Sequence, residues 1–495
     1  MESKESPILQ GLNPAQRDAV VNYDSPSLII AGAGSGKTRV LTSRIAYMIE
    51  QGIKPWNILA LTFTNKAAES MRERIAQMLP DNRSRYIRMG TFHSVFSRIL
   101  RENAEKIGFT DSFTIYEPSD CKNLLKTIVR ELNLPDEKYK PNVLSSRISY
   151  AKNCLVTPGA YLANSTCAAE DRQAQIPEFG NIYNIYCQRC KRNGAMDFDD
   201  LLLQTNILLR DCPDVLARYQ EQFQYILVDE YQDTNYAQYT IIRRLSQTHS
   251  KVCVVGDDDQ SIYKFRGATI ENILSFEKQY HGAKVIRLEQ NYRSTKSILD
   301  AANAVISHNQ GRKGKKLWTK NASGDKITVY EALNESDEAN YVAGRIFSIS
   351  KGKNFKDFAI LYRTNAQSNA LEYAFKRNSI PYRIIGGTRF FDRAEVKDML
   401  AYLCVINNRA DDLRLLRIIN NPPRGIGAKT IEMASRQAQA AGVPLYSVIS
   451  DPYSYPSLEK AAAKLMAFTV LIEDCAELLK TLSLPDFYEE LLILS

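Results

Sequence analysis

The stretch Leu28–Ile29–Ile30–Ala31–Gly32–Ala33–Gly34–Ser35–Gly36–Lys37–Thr38 decides the fold. A short apolar run reads as a strand. A glycine-rich turn follows, and the pattern from Thr38 to Ile49 is that of a helix. Glycines let the backbone turn tightly, so that successive N–H groups converge on phosphate oxygens. The start of the next helix adds partial positive charge. Lys37 is placed to reach β- and γ-phosphates, and the Thr38 hydroxyl to bind a metal ion. The first position of such loops is usually glycine, and Ala31 stands there in this chain. A purely structural turn is the rival reading, but Gly36–Lys37–Thr38 between a strand and a helix argues against it. The cofactors called for are ATP and Mg²⁺.

Working outward, Ile58 to Leu61 reads as a second strand and Asn65 to Leu79 as a second helix. This strand–helix rhythm argues for an α/β fold, a parallel sheet covered by helices. The rhythm stops near residue 113. From there to about residue 195 the pattern is helical and loop-like without clear strands, as in a helical domain inserted into the first. Strands resume at Tyr225–Val228, Val252–Val255 and Val285–Leu288. A second α/β unit is expected from strands at Ile327–Tyr330, Phe358–Tyr362 and Tyr382–Ile385, with helices at Glu335–Ser348 and Gln367–Arg377. After Gly386–Gly387 the pattern turns helical to the end. The run Gly311–Arg312–Lys313–Gly314–Lys315–Lys316 is a basic loop, equally a solvated linker between domains.

Three further segments carry chemistry. Tyr225–Ile226–Leu227–Val228–Asp229–Glu230 ends an apolar strand in two carboxylates, at the edge where ligands bind in open α/β sheets. Asp229 suits the metal and Glu230 the attacking water, the two tasks phosphoryl transfer requires. Next, Val252–Cys253–Val254–Val255–Gly256–Asp257–Asp258–Asp259–Gln260 ends a second strand, with Gln260 placed for the γ-phosphate or the water. Directly after it, Tyr263, Lys264, Phe265 and Arg266 alternate aromatic and basic side chains, as single-stranded nucleic acid requires. Taken alone, that segment reads better as an edge strand with a buried aromatic. Finally, in Leu288–Glu289–Gln290–Asn291–Tyr292–Arg293–Ser294–Thr295, Arg293 is either a structural residue or a stabiliser of charge on the transferring phosphoryl group. Tyr292 is placed to stack on adenine.

Bulk properties exclude little. The net charge of +8, from 64 basic and 56 acidic residues, permits a phosphate-rich partner without requiring one. Cys187 and Cys190 form the only CxxC among nine cysteines, with no matched ligands nearby, so metal binding there is disfavoured. The four histidines form no cluster. No apolar run approaches the roughly 20 residues that span a bilayer, and the start lacks a signal-peptide pattern. A cytoplasmic protein without a membrane partner is expected.

In this order, the segments LNPAQRDAV (12–20), AGAGSGKT (31–38), LTFTNKAA (61–68), GTFHSV (90–95), ILVDEYQDTN (226–235), VVGDDDQSIYKFRGA (254–268) and LEQNYRST (288–295) resemble superfamily 1A DNA helicases of the UvrD/Rep/PcrA family. So do YRIIGGTRFFDRAEVKD (382–398) and NPPRGIG (421–427). The resemblance implies two RecA-like P-loop domains, the second incomplete, with helical insertion domains. Domain 1A would cover 1–112 and 196–283, insertion 1B 113–195, domain 2A 284–386 and insertion 2B 387–495. It implies that Gln16 recognises adenine and that Arg39 lines the nucleotide site. Phe63, Thr64, Asn65, Thr91, Phe92 and His93 would face DNA, and Tyr263, Phe265 and Arg266 would form the stacking segment. Phe265 stands where many relatives carry tryptophan. The implied activity is ATP-dependent 3′–5′ movement on single-stranded DNA, with 3′-tailed duplex DNA as substrate and repair or replication proteins as partners. The chain stops at Leu491–Ser495 without two further family motifs, so a fragment or truncated protein is expected. The alternative is a module that binds ATP and single-stranded DNA without unwinding. A helicase–nuclease fusion would need a nuclease domain that the sequence lacks.

Overall fold

The computed structural model describes residues 6–79, 81–309, 314–350, 354–385 and 393–494. These divide into two compact units, one of residues 1–324 with 401–495 and one of residues 325–400.

The first unit is organised by strands β1 (Ser27–Ala31), β2 (Ile58–Thr62), β3 (Arg88–Thr91), β4 (Thr114–Tyr116), β5 (Ala195–Asp197), β6 (Tyr225–Val228), β7 (Val252–Gly256) and β8 (Lys284–Leu288). Six of them form one parallel sheet in the order β3-β2-β6-β7-β1-β8. Every residue of β1, β2, β6 and β7 is buried, because helices cover both faces. That is why these strands read as continuous apolar runs rather than alternating ones. Successive residues serve opposite cores: Leu28 and Ile30 pack with Phe96, Leu201 and Ile241 on one face, Ile29 and Ala31 with Val40, Ile45 and Met71 on the other. The helices that position the site are α1 (Pro14–Val21), α2 (Lys37–Glu50), α3 (Asn65–Met78), α4 (Phe92–Glu102), α5 (Pro118–Glu131) and α6 (Pro141–Asn153).

The strand order sorts the motifs. β1, β6 and β7 deliver the glycine-rich loop, Asp229–Glu230 and Asp257–Gln260 to one stretch of the carboxyl edge, while β2 and β3 deliver Phe63–Thr64 and Thr91–His93 to the next. Strand Lys284–Leu288, read from the residues as a continuation of the first set of strands but put at the opening of domain 2A by the resemblance, pairs along its length with β1. Its apolar residues Ile286 and Leu288 are buried in the core that holds Ile29 and Ala31.

The segment 113–195 is mostly helical but not strand-free. β4 and β5, at its two ends, pair in parallel with Thr114 opposite Ala195, so the chain leaves and re-enters the sheet domain at one place. Helices from residues 401–495 pack against it: Tyr116 Oη donates to Asp411 at 3.0 Å, and Arg414 pairs with Asp120 at 2.6 Å.

In the second unit, helices Glu335–Ile349 and Ser368–Arg377 bury Ala339, Ala343 and Ile346 against Ala374 and Phe375. The three strands expected there do not form among the described residues. Val329 and Leu361 are 89% and 95% exposed. A strand is stable only beside hydrogen-bonded neighbours, and β propensity alone does not supply them. The stretches 310–313 and 386–392, which carry most of the basic loop and part of the segment 382–398, lie outside the described residues. Among the described residues, no helix is long and apolar enough to cross a membrane.

Candidate functional site

Ala31 ends β1, and Gly32 to Gly36 turn the chain into α2. Gly34 (φ +67°) and Gly36 (φ +92°) adopt left-handed backbone. A Cβ at Gly36 would also lie 2.8 Å from Gln16 Nε2, so only glycine fits without strain. Ser35 Oγ donates to the Gly32 carbonyl at 2.7 Å, Asn291 Nδ2 to the Ala33 carbonyl at 2.7 Å, and the Tyr292 N–H to the Gly34 carbonyl at 2.9 Å. The loop carbonyls are thereby taken up. The first N–H groups of α2, which include those of Lys37 and Thr38, have no intrahelical partner, the condition under which a helix start holds an anion.

Asp229 is buried where β6 ends, its N–H donating to the Leu61 carbonyl at 2.9 Å. Burial, with Glu230 adding to it and Lys37 opposing, pushes its carboxyl up to about 6. Glu230 sits at φ +50°, a conformation a non-glycine residue holds only when its surroundings dictate it. Its Oε2 accepts from Gln232 Nε2 at 2.9 Å and lies 3.4 Å from Lys37 Nζ. Asp229 and Thr38 offer the hard oxygen ligands that Mg²⁺ prefers. Bound there, the ion would neutralise phosphate charge.

Lys37 Nζ is also 3.8 Å from Asp257, whose carboxylate accepts from Gln260 Nε2. Gln260 itself is exposed on the turn after β7. Asp257, Asp258 and Asp259 are the one group of potential metal ligands found among the described residues. The Lys315 ammonium already lies among them, 2.8 Å from Asp257 and 2.8 Å from Asp259, and hydrogen-bonded to Asp258. The trio is therefore a clamp on a lysine rather than an open metal site.

Gln16 is buried: its side chain caps α1 by accepting from the Asn13 N–H at 3.1 Å, and its Nε2 donates to the Ser35 carbonyl at 2.9 Å. It thereby braces the loop. Arg39 is exposed, its guanidinium reaching the Gln10 carbonyl at 3.5 Å. Tyr292 is half exposed, its hydroxyl accepting from Asn13 at 2.8 Å, and Arg293 is exposed beside Gly34.

Beyond β2 and β3 lies a cleft of about 580 Å³. It is lined by Phe63, Thr64, Thr91, His93, Tyr263 and Phe265, together with residues of α6 and the start of helix Phe198–Asp211. Thr64 and Thr91 accept from the N–H groups of Ala67 and Ser94, so two capped helix starts border the cleft. Phe265 is 78% exposed, with its ring centroid 5.9 Å from that of Tyr263. The buried-aromatic reading of that segment is thus excluded, and Lys264–Arg266 is a helical turn rather than an edge strand. The Arg266 side chain lies outside the described residues. Desolvation lowers the His93 imidazole to about 4.

Two expectations shift. Phe92 is among the residues that line the cleft, but it is only 1% exposed and its ring packs with Phe63 and Phe96 in the core, so it mainly supports Phe63. Asn65, at the first position of α3, is exposed but does not line the cleft.

Other residues of the site carry a weaker signal in the sequence. Ser145, Ser149 and Asn153 recur every four residues along α6, which puts them on one face, and all line the cleft. Their spacing was legible. Phe198, 48% exposed and edge-on to His93 at 5.5 Å, is held by the buried cluster of Lys152 with Asp197 and Asp200, at 2.7 and 2.8 Å. Asn291 clasps the glycine-rich loop from a polar turn whose sequence signal lies in its neighbours Tyr292 and Arg293.

Residues 12–281 match the family model of the UvrD/REP helicase N-terminal domain, and residues 286–461 that of the UvrD-like helicase C-terminal domain. The chain is 45% identical over 487 residues to a Staphylococcus aureus protein described as ATP-dependent DNA helicase PcrA. To the Staphylococcus epidermidis protein of the same description it is 44% identical over 492 residues. Each match covers 98% of this chain and 66% of the relative, so the chain spans just under two thirds of the length of these relatives.

Proposed function

The chain belongs to the UvrD/REP helicase family, and from that premise we propose that it uses ATP to move 3′ to 5′ along single-stranded DNA and to open 3′-tailed duplexes, in DNA repair or replication. One observation carries the reading. A single sheet edge holds both candidate sites, and the loop leaving β7 joins them, with Gln260 at the nucleotide end and Phe265 at the cleft five residues later.

In this reading Lys37 and the N–H groups at the start of α2 hold the β- and γ-phosphates, while Thr38 and Asp229 hold Mg²⁺. Glu230, already aimed at Lys37, orients the attacking water. Gln260 reads the γ-phosphate, and Arg293 adds charge on its far side. Gln16, Arg39 and Tyr292 surround the base. Phe63, Tyr263 and Phe265 stack DNA bases, while the starts of α3 and α4 at Thr64 and Thr91 take phosphates. His93, uncharged at neutral pH, adds a flat neutral surface beside Phe198.

A second reading, binding of ATP and single-stranded DNA without unwinding, is favoured by one observation: residues 325–400 form no strand among those described. Strand displacement separates the two. The helicase reading expects ATP-dependent opening of a 3′-tailed duplex and none of a 5′-tailed one. Opening of both alike removes the polarity, and opening of neither while ATP and DNA still bind leaves the second reading standing.

A further inference from the structure

Lys315 belongs to neither of the two ligand sets above, yet it is almost completely enclosed. Its side chain is 1% exposed, with its ammonium shared among Asp257, Asp258 and Asp259. Asp257 stands between two lysines. Its Oδ1 is 2.8 Å from Lys315 Nζ, and its Oδ2 is 3.8 Å from Lys37 Nζ. Its carboxylate also receives the Gln260 side chain, and its N–H donates to Gln232 Oε1 at 2.9 Å. Gln232 in turn holds Glu230. The segment that carries Lys315 continues to Leu317, which lies against Gly32, and to Trp318, which pairs with Gln290 beside the loop clasp at Asn291.

Three carboxylates this close repel one another unless a cation sits among them. A buried carboxylate stripped of its only cation is costly. If Lys37 were the sole cation on Asp257, drawing it onto a nucleotide phosphate would leave that buried carboxylate uncompensated. With Lys315 in place, Lys37 is free to leave Asp257 and the turn keeps its shape. Without Lys315, two relaxations remain: Lys37 is retained by Asp257, away from the phosphates, or the turn swings outward and takes Gln260 and the Tyr263–Phe265 segment with it.

We propose that Lys315 is a positioning residue that frees Lys37 for the nucleotide and fixes the Asp257–Gln260 turn through which nucleotide and single-stranded DNA influence each other. The inference rests on the ATP and DNA reading given above. Binding linkage between two ligands is reciprocal, so one ratio measures it: the affinity for DNA with nucleotide over that without.

The test uses the chain as it stands, a fluorescein-labelled oligo-dT as the DNA probe and Mg·adenylyl imidodiphosphate as the nucleotide probe, at fixed salt. In the wild type, saturating nucleotide should change the oligo-dT Kd by a factor in the usual allosteric range of about 5–150. In Lys315→Ala that factor should fall to within about twofold of unity, and nucleotide affinity should drop by about tenfold as Asp257 retains Lys37. Lys315→Arg should keep most of the linkage. The double variant Lys315→Ala/Asp258→Ala, with one carboxylate fewer, should recover part of it. Lys315→Gln keeps the stem without the charge and gives the same readout if the alanine variant does not fold. A merely structural lysine would lower Tm and leave the linkage ratio of the folded protein untouched. A wild-type ratio in Lys315→Ala or Lys315→Gln overturns the inference and spares the functional reading, as does a wild type that binds both probes independently. A wild type that binds neither probe overturns the functional reading itself.

Discussion

Replacing Phe265 by alanine separates a base-stacking ring from a core ring. The side chain is 78% exposed and its ring is tilted by 36° to that of Tyr263, 5.9 Å away, so truncation uncovers little apolar surface. A surface change of this kind usually alters stability by no more than about 0.5 kcal/mol. Stacking of one base on an aromatic ring contributes roughly 1–3 kcal/mol. At about 1.4 kcal/mol per tenfold, Phe265→Ala should weaken oligo-dT binding by roughly 5- to 150-fold. The ring carries no charge to neutralise a phosphate, so the slope of log Kd against log salt should stay as in the wild type. Phe265→Trp, which enlarges the stacking face, should tighten binding. The assay is fluorescence anisotropy at several salt concentrations, paired with thermal melting. A Kd within twofold of wild type would refute the stacking role, and a Tm lowered by many degrees would show that the ring is core after all.

Two further outcomes follow from the nucleotide and cleft geometry. Glu230→Gln should still bind Mg·ATP while hydrolysis falls by at least about a hundredfold, whereas Asp229→Asn should lose Mg²⁺-dependent nucleotide affinity; equal loss of affinity in both would show the two roles wrongly divided. His93 is held near 4, below its unfolded value of about 6.5. The unfolded chain therefore takes up the proton first as pH falls, and the stabilisation present above pH 6.5 should be lost between about 6.5 and 4, by at most roughly 3 kcal/mol. His93→Gln should flatten that part of the stability–pH curve, and an unchanged curve would place the imidazole in water.

The parallel sheet is legible in the sequence because its strands are buried on both faces and so appear as unbroken apolar runs: Leu28–Ala31, Ile58–Leu61, Tyr225–Val228 and Val252–Val255 all lie within strands of the structure. The glycine-rich loop was legible because Gly34 and Gly36 need backbone that other residues resist. What was missed depends on partners far away in the chain. β4 and β5 are each short, and they exist because they pair with each other across the whole insertion. Ile327–Tyr330 and Phe358–Tyr362 have strand composition but find no neighbour among the described residues. Phe92 belongs to a motif that suggests DNA contact, yet its position at the first turn of α4 sends it into the core. Lys315 looked like one more charge in a basic linker. Only the fold shows that it meets Asp258, 57 positions earlier, in a buried clamp.

The central claim is that the carboxyl edge of one sheet carries two distinct, linked sites, one for ATP and one for single-stranded DNA. Calorimetric titration of Mg·adenylyl imidodiphosphate into wild type and Lys37→Ala, each with and without oligo-dT, tests it most directly. The expected result is nucleotide binding by the wild type with an affinity that changes when DNA is present, and a Lys37→Ala protein that has lost the nucleotide but still binds oligo-dT within about threefold of wild type. A folded Lys37→Ala protein that binds nucleotide as the wild type does, or that loses DNA and nucleotide together, would contradict it.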